Sequence, residues 1–431
     1  MSTSPPPLPA VDIRRPTWVR YQVLGAACAV AVIIYVHRVG FARALPEVSA
    51  DLNLSDSQAG WLIAAFLLAY GGFEMPWGWA GDRFGVRHLF PVLVLGWSLM
   101  TGCLALTGSF AMLLVLRFLF GFFQAGAFPA LSRMMTDWMP SRQRGFAQGS
   151  IWMSTRVGGM IIPLVLGPLM LWCGWQRALW IIASLGALWA VLFWPWFRDK
   201  PREMASVNEA EQALIASGRA PGHESSHPSV PWGQLLTSRS AWSLCLMYGF
   251  GGFAANFYVT FLPKFLKDHR RLPEADVNLL SSLPFMCGAI ACLAGGLLSD
   301  GIIRWTGNRK WGRRFNGTVG TIIAGFGWLA LAHTESTLAL AIILCLIFTC
   351  NDLAMGPAWA CCADIGERHA GTLGGAMNMV GNLAGAVGNL VAGYLFEAHR
   401  PELVFTIYAF SFWLGTVCWL NVDATERLHE A

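Results

Sequence analysis

Long apolar runs constrain this chain more than any other feature of its sequence. Twelve runs of about 20 residues alternate with short polar segments. A helix of that length crosses the hydrocarbon core of a bilayer, where only helices and closed barrels satisfy their backbone hydrogen bonds. The runs cover about residues 19–39, 58–80, 89–108, 110–134, 146–171, 177–197, 241–266, 278–300, 316–333, 337–363, 372–396 and 402–420. We therefore predict an all-α membrane protein with twelve transmembrane helices.

The charge distribution predicts which side of the membrane the turns occupy. Of 431 residues only 13% are charged and 55% are hydrophobic, whereas a soluble protein carries nearer a quarter charged residues. Most of the 30 Lys and Arg fall in turns on one side, so the net charge of +5 does not indicate nucleic-acid binding. By the positive-inside rule both termini are cytoplasmic. No cleavage site follows the first run, so we predict an uncut multi-pass protein of the bacterial inner membrane.

The chain lacks the sequence patterns of an enzyme. Its eleven cysteines lie mostly in apolar runs and show no metal-ligand spacing, so we interpret them as small packing residues. There is no Gly-x-Ser-x-Gly elbow, no His-rich cluster and no phosphate-binding loop. We therefore expect no catalytic residues, no metal and no cofactor.

Composition divides the chain into five segments, two of which echo each other. We predict a Pro-rich cytoplasmic tail (1–18), a six-helix bundle (19–197), a polar cytoplasmic linker (198–240), a second six-helix bundle (241–420) and a cytoplasmic C-terminal tail (421–431). Asp82 ends the second run as Asp300 ends the eighth. Two pseudo-symmetric bundles around a central cavity are the architecture of repeat-built secondary transporters.

A charged turn with glycine hinges joins the second and third runs. Its carboxylate can pair with arginines or cap a helix end, and its arginines can reach acids or helix carbonyls. Such contacts would hold one side of the molecule closed and release it during rocking. The predicted gating residues are Gly81, Asp82, Arg83, Gly85, Arg87 and Asp300; the alternative is that the positive charges only anchor the topology.

Arginines inside the apolar runs point to an anionic ligand. Arg38 lies in the first run and Arg117 in the fourth. A charge at that depth is costly and usually faces a wet cavity or a partner, and the guanidinium fork suits carboxylates. The alternative is that either arginine braces a neighbouring helix. For Arg156 in the fifth run, cavity and structural support stay equally open.

Several motifs resemble those of a known family. Residues 82–87 resemble the signature loop of the major facilitator superfamily. More narrowly, residues 117–129, 295–300 and 356–359 resemble the anion:cation symporter family, which carries sugar acids and other organic anions. The resemblance implies the major facilitator fold, alternating access and a small organic-anion substrate. It also implies binding roles for Tyr35, Tyr70 and Trp359.

Two positions depart from that family's pattern. Where the family has acids that carry its coupling proton, this chain has His37 in helix 1 and Gln124 in helix 4. Conversely, Glu74 in helix 2 replaces a common amide, and Asp352 lies in helix 10. His37, Glu74 and Asp352 are therefore the candidate proton carriers, because imidazole and carboxyl groups can titrate. Symport through these residues, uniport and efflux all stay open.

A polar stripe completes the predicted site. Asn378, Asn382 and Asn389 fall on one face of helix 11, with Asn378 the best substrate ligand among them. The predicted substrate-binding residues are Tyr35, Arg38, Tyr70, Arg117, Gln124, Asn256, Tyr258, Trp359 and Asn378. The expected partners are a small organic anion, protons and membrane lipid, with no nucleic acid, and we expect a monomer. Alternatives are an exporter of a drug, siderophore or carboxylate metabolite, a membrane enzyme and a non-transporting sensor.

Overall fold

The chain is built from long helices. The computed structural model describes residues 15–217, 232–255 and 257–428, and within those ranges there is no β-strand. The prediction of an all-α membrane protein is confirmed. Asn256 and parts of the predicted tails and linker lie outside the described residues.

The first half contains six helices, one of them unusually long. They are α1 (Val19–Asp51), α2 (Asp56–Phe84), α3 (Val86–Leu104), α4 (Phe110–Gln124), α5 (Ala127–Trp138) and α6 (Arg144–Trp196). The 53 residues of α6 exceed twice the length of one crossing. Its chain kinks at Gly174, whose φ of 79° lies in the left-handed region that glycine adopts without steric cost.

The linker and the second half continue the helical pattern. The helices are α7 (Glu209–Ala216), α8 (Trp232–Thr237), α9 (Arg239–Ala255), α10 (Phe257–Thr260), α11 (Leu262–Lys264), α12 (Glu274–Thr306), α13 (Arg309–His333), α14 (Thr337–Leu353), α15 (Met355–Gly366), α16 (Ala370–Glu397) and α17 (Pro401–Asn421). Short 3-10 turns at Ser141–Gln143, Pro201–Glu203 and Glu367–His369 and a π-helical turn at Phe265–His269 join some of them.

Nine helical stretches in the described ranges are long and apolar enough to cross a membrane. One of them, Thr337–Glu397, has 61 residues and contains α14, α15 and α16. Dividing it at the Glu367–His369 turn, counting the first part of α6 separately and adding α9–α11 brings the number to twelve. Divided in this way, the helices agree with the twelve crossings that the apolar runs predict.

The helices form two bundles that meet in equivalent ways. In the first half α1 packs along α6, and α2 and α3 pack against α4. In the second half α9 packs against α16 and α17, and α13 against α14 and α17. Between the bundles α2 packs on α16, and α12 packs on α6. The two contacts are equivalent, because α2 corresponds to α12 and α16 corresponds to α6 in the repeat, which agrees with the pseudo-symmetry that the sequence predicted.

The buried core shows which end of the molecule is closed. We call the end where α2 ends and α6 begins the linker end, because the inter-bundle linker leaves there. At this end one core is continuous across both bundles, from Leu131 and Trp138 to Cys361 and Cys362. Towards the opposite end each bundle has a core of its own. Among the described residues, the core that seals the two bundles together therefore lies at the linker end.

Close backbone contacts at glycines make this seal possible. A Cβ on Gly78 of α2 would lie 2.1 Å from the carbonyl oxygen of Gly371 in α16. In the matching position, a Cβ on Gly296 of α12 would lie 2.2 Å from the carbonyl oxygen of Gly145 in α6. Any side chain at these positions would push the helices apart.

We expect Gly78→Val to destabilise the closed form by about 1–3 kcal/mol, because the new side chain overpacks the α2–α16 contact. Thermal unfolding in detergent checks this as a lowered midpoint. Gly72→Val is the matched control, since Gly72 is in the same helix and a Cβ there meets nothing within 4 Å. Equal midpoints for the two variants would contradict the expectation.

Candidate functional site

A polar cavity lies between the two bundles. It has a volume of about 200 Å³. Its walls come from α1, α2, α5 and α6 on one side and from α9, α14, α15 and α16 on the other, with α13 and α17 contributing one residue each. The polar and charged side chains of its lining are Tyr35, Arg38, Tyr70, Arg156, Tyr248, Thr321, Asn351, Asn378 and Asn382. A cavity shared by both bundles can change its access when they rock.

Arg38 places a guanidinium in the lining of this cavity. Its Nε donates to Oε1 of Gln124 at 3.0 Å, and one terminal nitrogen has no hydrogen-bond partner among the described residues. The guanidinium lies over the rings of Tyr70 at 4.4 Å and of Tyr35 at 5.3 Å. No carboxylate in the described ranges lies within ion-pair distance. Arg38 is therefore fixed in place and available to an anion.

Gln124 explains how Arg38 stays unpaired. Its Oε1 accepts from Arg38, while its Nε2 donates to the carbonyl of Ile34 at 3.3 Å. Gln124 is fully buried behind the cavity wall rather than part of the lining. A neutral amide holds the arginine in position without neutralising it.

Glu74 is a fully buried carboxylate held by the opposite bundle. Asn378 donates to its Oε1, and Asn382 donates to both of its oxygens at 3.1 and 3.2 Å. Asn378 also donates to the Tyr70 hydroxyl at 3.3 Å. Within the described part of the chain Glu74 makes no ion pair. Its bonds therefore tie α2 to α16 directly behind the cavity.

Arg156 and Asp352 form a second link between the bundles. Nε and one terminal nitrogen of Arg156 donate to the two carboxylate oxygens of Asp352 at 2.7 and 2.8 Å. Asn351 donates to Asp352 at 3.1 Å. Arg156 lines the cavity, and the fully buried Asp352 lies behind it. The second arginine of the cavity is thus already neutralised.

Aromatic side chains close the cavity towards the linker end. The rings of Phe128 and Trp152 stack with centroids 4.8 Å apart, and Trp359 packs 5.9 Å from Trp152. The Trp359 indole N–H donates to the Tyr248 hydroxyl at 3.3 Å. Trp359 lies beneath the lining instead of in it.

Other predicted site residues lie away from the cavity. Arg117 is buried among the rings of Phe41, Phe66 and Phe120 and donates to the carbonyl of Leu62 at 3.3 Å. The structure thus corrects the expectation of Arg38 and Arg117 as the two cavity arginines, because the lining contains Arg38 and Arg156.

His37 and Tyr258 also face bundle interiors. The His37 Nδ1 lies 2.9 Å from the Thr101 hydroxyl, within the first bundle. The Tyr258 hydroxyl donates to the carbonyl of Leu344 at 3.0 Å, within the second. Asn256 lies outside the described residues. Neither His37 nor Tyr258 lines the cavity, so neither is placed to contact a ligand there.

Four polar lining residues, Tyr248, Thr321, Asn351 and Asn382, were not among the predicted ligands, and Arg156 was left open between cavity and structural support. Tyr248 and Asn351 carry no sequence pattern that separates them from packing residues. Asn382 lies on the same polar stripe as Asn378, and that stripe is the sequence signal that could have identified it as a lining residue.

Asp82 of the charged turn caps a helix of the other bundle. Its oxygens accept from the backbone N–H groups of Gly371 at 3.0 Å and Thr372 at 2.6 Å, and from the Thr372 hydroxyl at 2.6 Å. These residues begin α16, where a carboxylate complements the helix dipole. Arg133 lies 3.8 Å away and donates to the carbonyl of Arg368.

Asp300 makes the equivalent contact in the opposite direction. From α12 it accepts from the backbone N–H groups of Gly145 at 3.2 Å and Phe146 at 2.7 Å, which begin α6. Arg313 donates to Asp300 at 2.7 Å and to Asp364 at 2.9 Å. Arg144 of the first bundle donates to the other oxygen of Asp364 at 2.8 Å. Two helix caps and one shared carboxylate therefore join the bundles at the linker end.

The remaining residues of the predicted gate contribute to the shape of the turn itself. Gly85 has a φ of 82°, and Arg83 packs over the rings of Trp79 and Phe84. The backbone N–H groups of Val86 and Arg87 donate to Asp199 at 2.9 Å each. Burial raises the pKa of the Asp199 carboxyl, and these two donors oppose that shift. A Cβ on Gly81 would meet only Leu89, at 3.7 Å.

Comparison with known proteins decides the family. The model of the Major Facilitator Superfamily matches residues 27–389. The chain belongs to the Major Facilitator Superfamily. It is 32% identical over 382 residues to the probable sulfoacetate transporter SauU of Cupriavidus necator, covering 88% of this chain and 87% of that protein.

A second relative and a solved structure agree with this assignment. The chain is 27% identical to the hexuronate transporter of Bacillus subtilis, covering 85% of each protein. The structure of the proton:xylose symporter XylE superimposes with a TM-score of 0.74 at 14% identity, covering 95% of this chain and 98% of that one. The resemblance to organic-anion transporters of this superfamily is confirmed. The protein is a multi-pass membrane transporter and not an enzyme.

We expect Asp82→Asn to loosen the linker end of this major facilitator protein. The single oxygen of an asparagine amide cannot replace two carboxylate oxygens that each accept from a backbone N–H group at the start of α16. Because a charge-assisted hydrogen bond is lost, we expect the population with an open linker end to rise about tenfold. Maleimide labelling of the buried Cys361 and Cys362, followed by peptide mass spectrometry, measures this opening. Asp51→Asn, at the opposite end, is the control. Unchanged labelling in Asp82→Asn would contradict the role of the cap.

Proposed function

We propose that the protein is a secondary-active transporter that moves a small organic anion by alternating access. Support comes first from Arg38, a cavity cation with no carboxylate at ion-pair distance among the described residues. A guanidinium recognises carboxylate and sulfonate groups through paired hydrogen bonds. The names of the relatives, which refer to sulfoacetate and hexuronate, agree with an acidic substrate.

The other lining groups indicate what the body of the substrate offers. Tyr35 and Tyr70 flank Arg38 with hydroxyls, and Asn378 and Asn382 contribute amides. These groups hydrogen-bond to neutral hydroxyls, while the aromatic rings pack against carbon-bound hydrogens. A hydroxylated acid of a few carbons fits such a lining. All of these groups come from one chain, so we propose that the monomer is the working unit.

The charge pattern supports an orientation for the protein. The linker end carries Arg142, Arg198 and Arg304 in short loops or at helix ends, as cytoplasmic turns do. We therefore assign the linker end to the cytoplasm of a bacterial inner membrane. The sealed linker end and the separate cores at the other end then correspond to an outward-facing state. Breaking the Asp82 and Asp300 caps would accompany the change to the inward-facing state.

We further propose that Glu74 carries a coupling proton. A buried ionised carboxylate is costly without a cation, and Glu74 has none at ion-pair distance within the described ranges. Its partners on α16 belong to the other bundle, so gain or loss of a proton changes an inter-bundle contact. Asp352 is the weaker candidate because it is committed to Arg156. Uniport and export are the alternatives that the flux measurement below distinguishes.

The anion role of Arg38 predicts that Arg38→Gln removes ligand binding. The ligands are found by screening sugar acids, dicarboxylates and sulfonates for those that raise the thermal unfolding midpoint of the purified protein. The affinity of the variant for these ligands should fall at least about tenfold, because a charge-assisted hydrogen-bonded pair is lost. Arg43→Gln is the control, because Arg43 is half exposed near the far end of α1. Undiminished binding in Arg38→Gln would refute the proposed site.

For Glu74→Gln we expect substrate uptake that no longer responds to a pH gradient. Glutamine keeps the size of the side chain but cannot carry a proton. Uptake of labelled substrate into proteoliposomes, with and without an inward proton gradient, measures the effect. Glu47→Gln is the control, because Glu47 is a partly exposed glutamate of α1 that pairs with Arg43. A wild-type flux that ignores the gradient would instead indicate uniport.

A further inference from the structure

The two relatives leave the charge of the substrate open. Sulfoacetate carries two acidic groups, whereas a hexuronate carries one. The cavity of this chain has two arginines in its lining, and no acidic side chain in the described ranges lines it. The question is whether both arginines can receive an acidic group of the substrate.

The positive charge of Arg156 is already compensated by a carboxylate of the protein. Asp352 takes two of its nitrogens in a bidentate pair, and the Asp352 side chain is fully buried. Gly288 of α12 leaves the space that Asp352 occupies, because a Cβ there would lie 2.4 Å from Oδ2. The pair is thus built into the packing of three helices from both bundles.

A second acidic group on the substrate would have to displace Asp352 or lie against a neutral pair. Displacement leaves a fully buried carboxylate without its cation, which is one of the most unfavourable changes in a protein interior. The guanidinium of Arg156 also lies over the rings of Trp152 and Phe348. The cavity lining of the second bundle offers neutral hydrogen-bonding side chains such as Tyr248 and Asn351. They suit hydroxyl or amide groups better than a second charge.

The charges also balance for a single acidic group. Arg156 and Asp352 cancel, and Arg38 supplies one positive charge. With a proton on Glu74, one negative charge on the substrate makes the closed site neutral. A dianion would leave an uncompensated charge at the depth of the bilayer, which is costly.

We infer that the cavity selects monoanions with a hydroxylated neutral body, and that Asp352 disfavours a second acidic group by compensating the charge of Arg156. This inference rests on the proposed anion-transport function. It makes Asp352 a specificity-determining residue of the site.

Two matched pairs of probes test this directly, each pair differing only by a CH₂OH group in place of a carboxylate. They are galactonate with galactarate, and 2-hydroxyethanesulfonate with sulfoacetate. Affinities for the purified protein are measured by calorimetry or by thermal shift. In each pair of which a member binds, the monoanion should bind at least about tenfold tighter than its dianion partner. A dianion that binds as tightly or more tightly overturns the inference.

Variants assign the selectivity to Asp352. Asp352→Asn frees Arg156, so dianion affinity should rise relative to monoanion affinity. The double variant Arg156→Gln/Asp352→Asn restores the wild-type net charge and should restore the preference. A thermal melting curve shows whether the Asp352→Asn variant is folded. If it is folded and its ratio of dianion to monoanion affinity is unchanged, the role of this residue is contradicted.

The same measurements separate the two proposals. If Arg38→Gln abolishes binding of the probes but dianions bind best in the wild type, only the monoanion inference fails. If Arg38→Gln leaves binding unchanged, or if none of the four probes binds the wild type, the proposed function fails and the inference with it.

Discussion

The cost of burying charge inside a membrane organises this protein. Most charged side chains between the helices have a partner that reduces this cost: Arg156 has Asp352, Arg144 and Arg313 share Asp364, and Arg117 lies in a box of aromatic rings. Within the described residues Arg38 and Glu74 stand apart, because neither has an opposite charge at ion-pair distance. The site therefore contains a cation and a carboxylate whose charges are not compensated by an ion pair. A bound anion would compensate Arg38, and a proton would neutralise Glu74.

The same need to compensate buried charge also connects the cavity to the closed linker end. Asp82 and Asp300 each cap a helix of the opposite bundle, so a carboxylate and a helix dipole satisfy one another only while the linker end is shut. Glu74 is two helical turns from Asp82 on α2, and its amide partners lie on the helix that Asp82 caps. A change of charge at Glu74 therefore acts on the α2–α16 contact that the seal uses. In the proposed mechanism, substrate, proton and gate therefore share one structural element, the α2–α16 contact.

The fold can be predicted from the sequence because each helix is specified by a continuous stretch of the chain. Apolar runs define the helices, and the match of Asp82 with Asp300 anticipates the paired caps. The site is less predictable because it depends on helix rotation. Arg38 and Arg117 are both lone arginines in apolar runs, yet one faces the cavity and the other faces Phe41 and Phe120. Arg156 and Asp352 are 196 residues apart, and no local pattern connects them.

A structure determined with a bound organic anion tests the central claim most directly. The account predicts the acidic group of galactonate or 2-hydroxyethanesulfonate against the Arg38 guanidinium, between Tyr35 and Tyr70, with the Arg156–Asp352 pair intact. An empty central cavity, with the anion instead beside Arg270 and His333 in the groove at the far end of the second bundle, would contradict it.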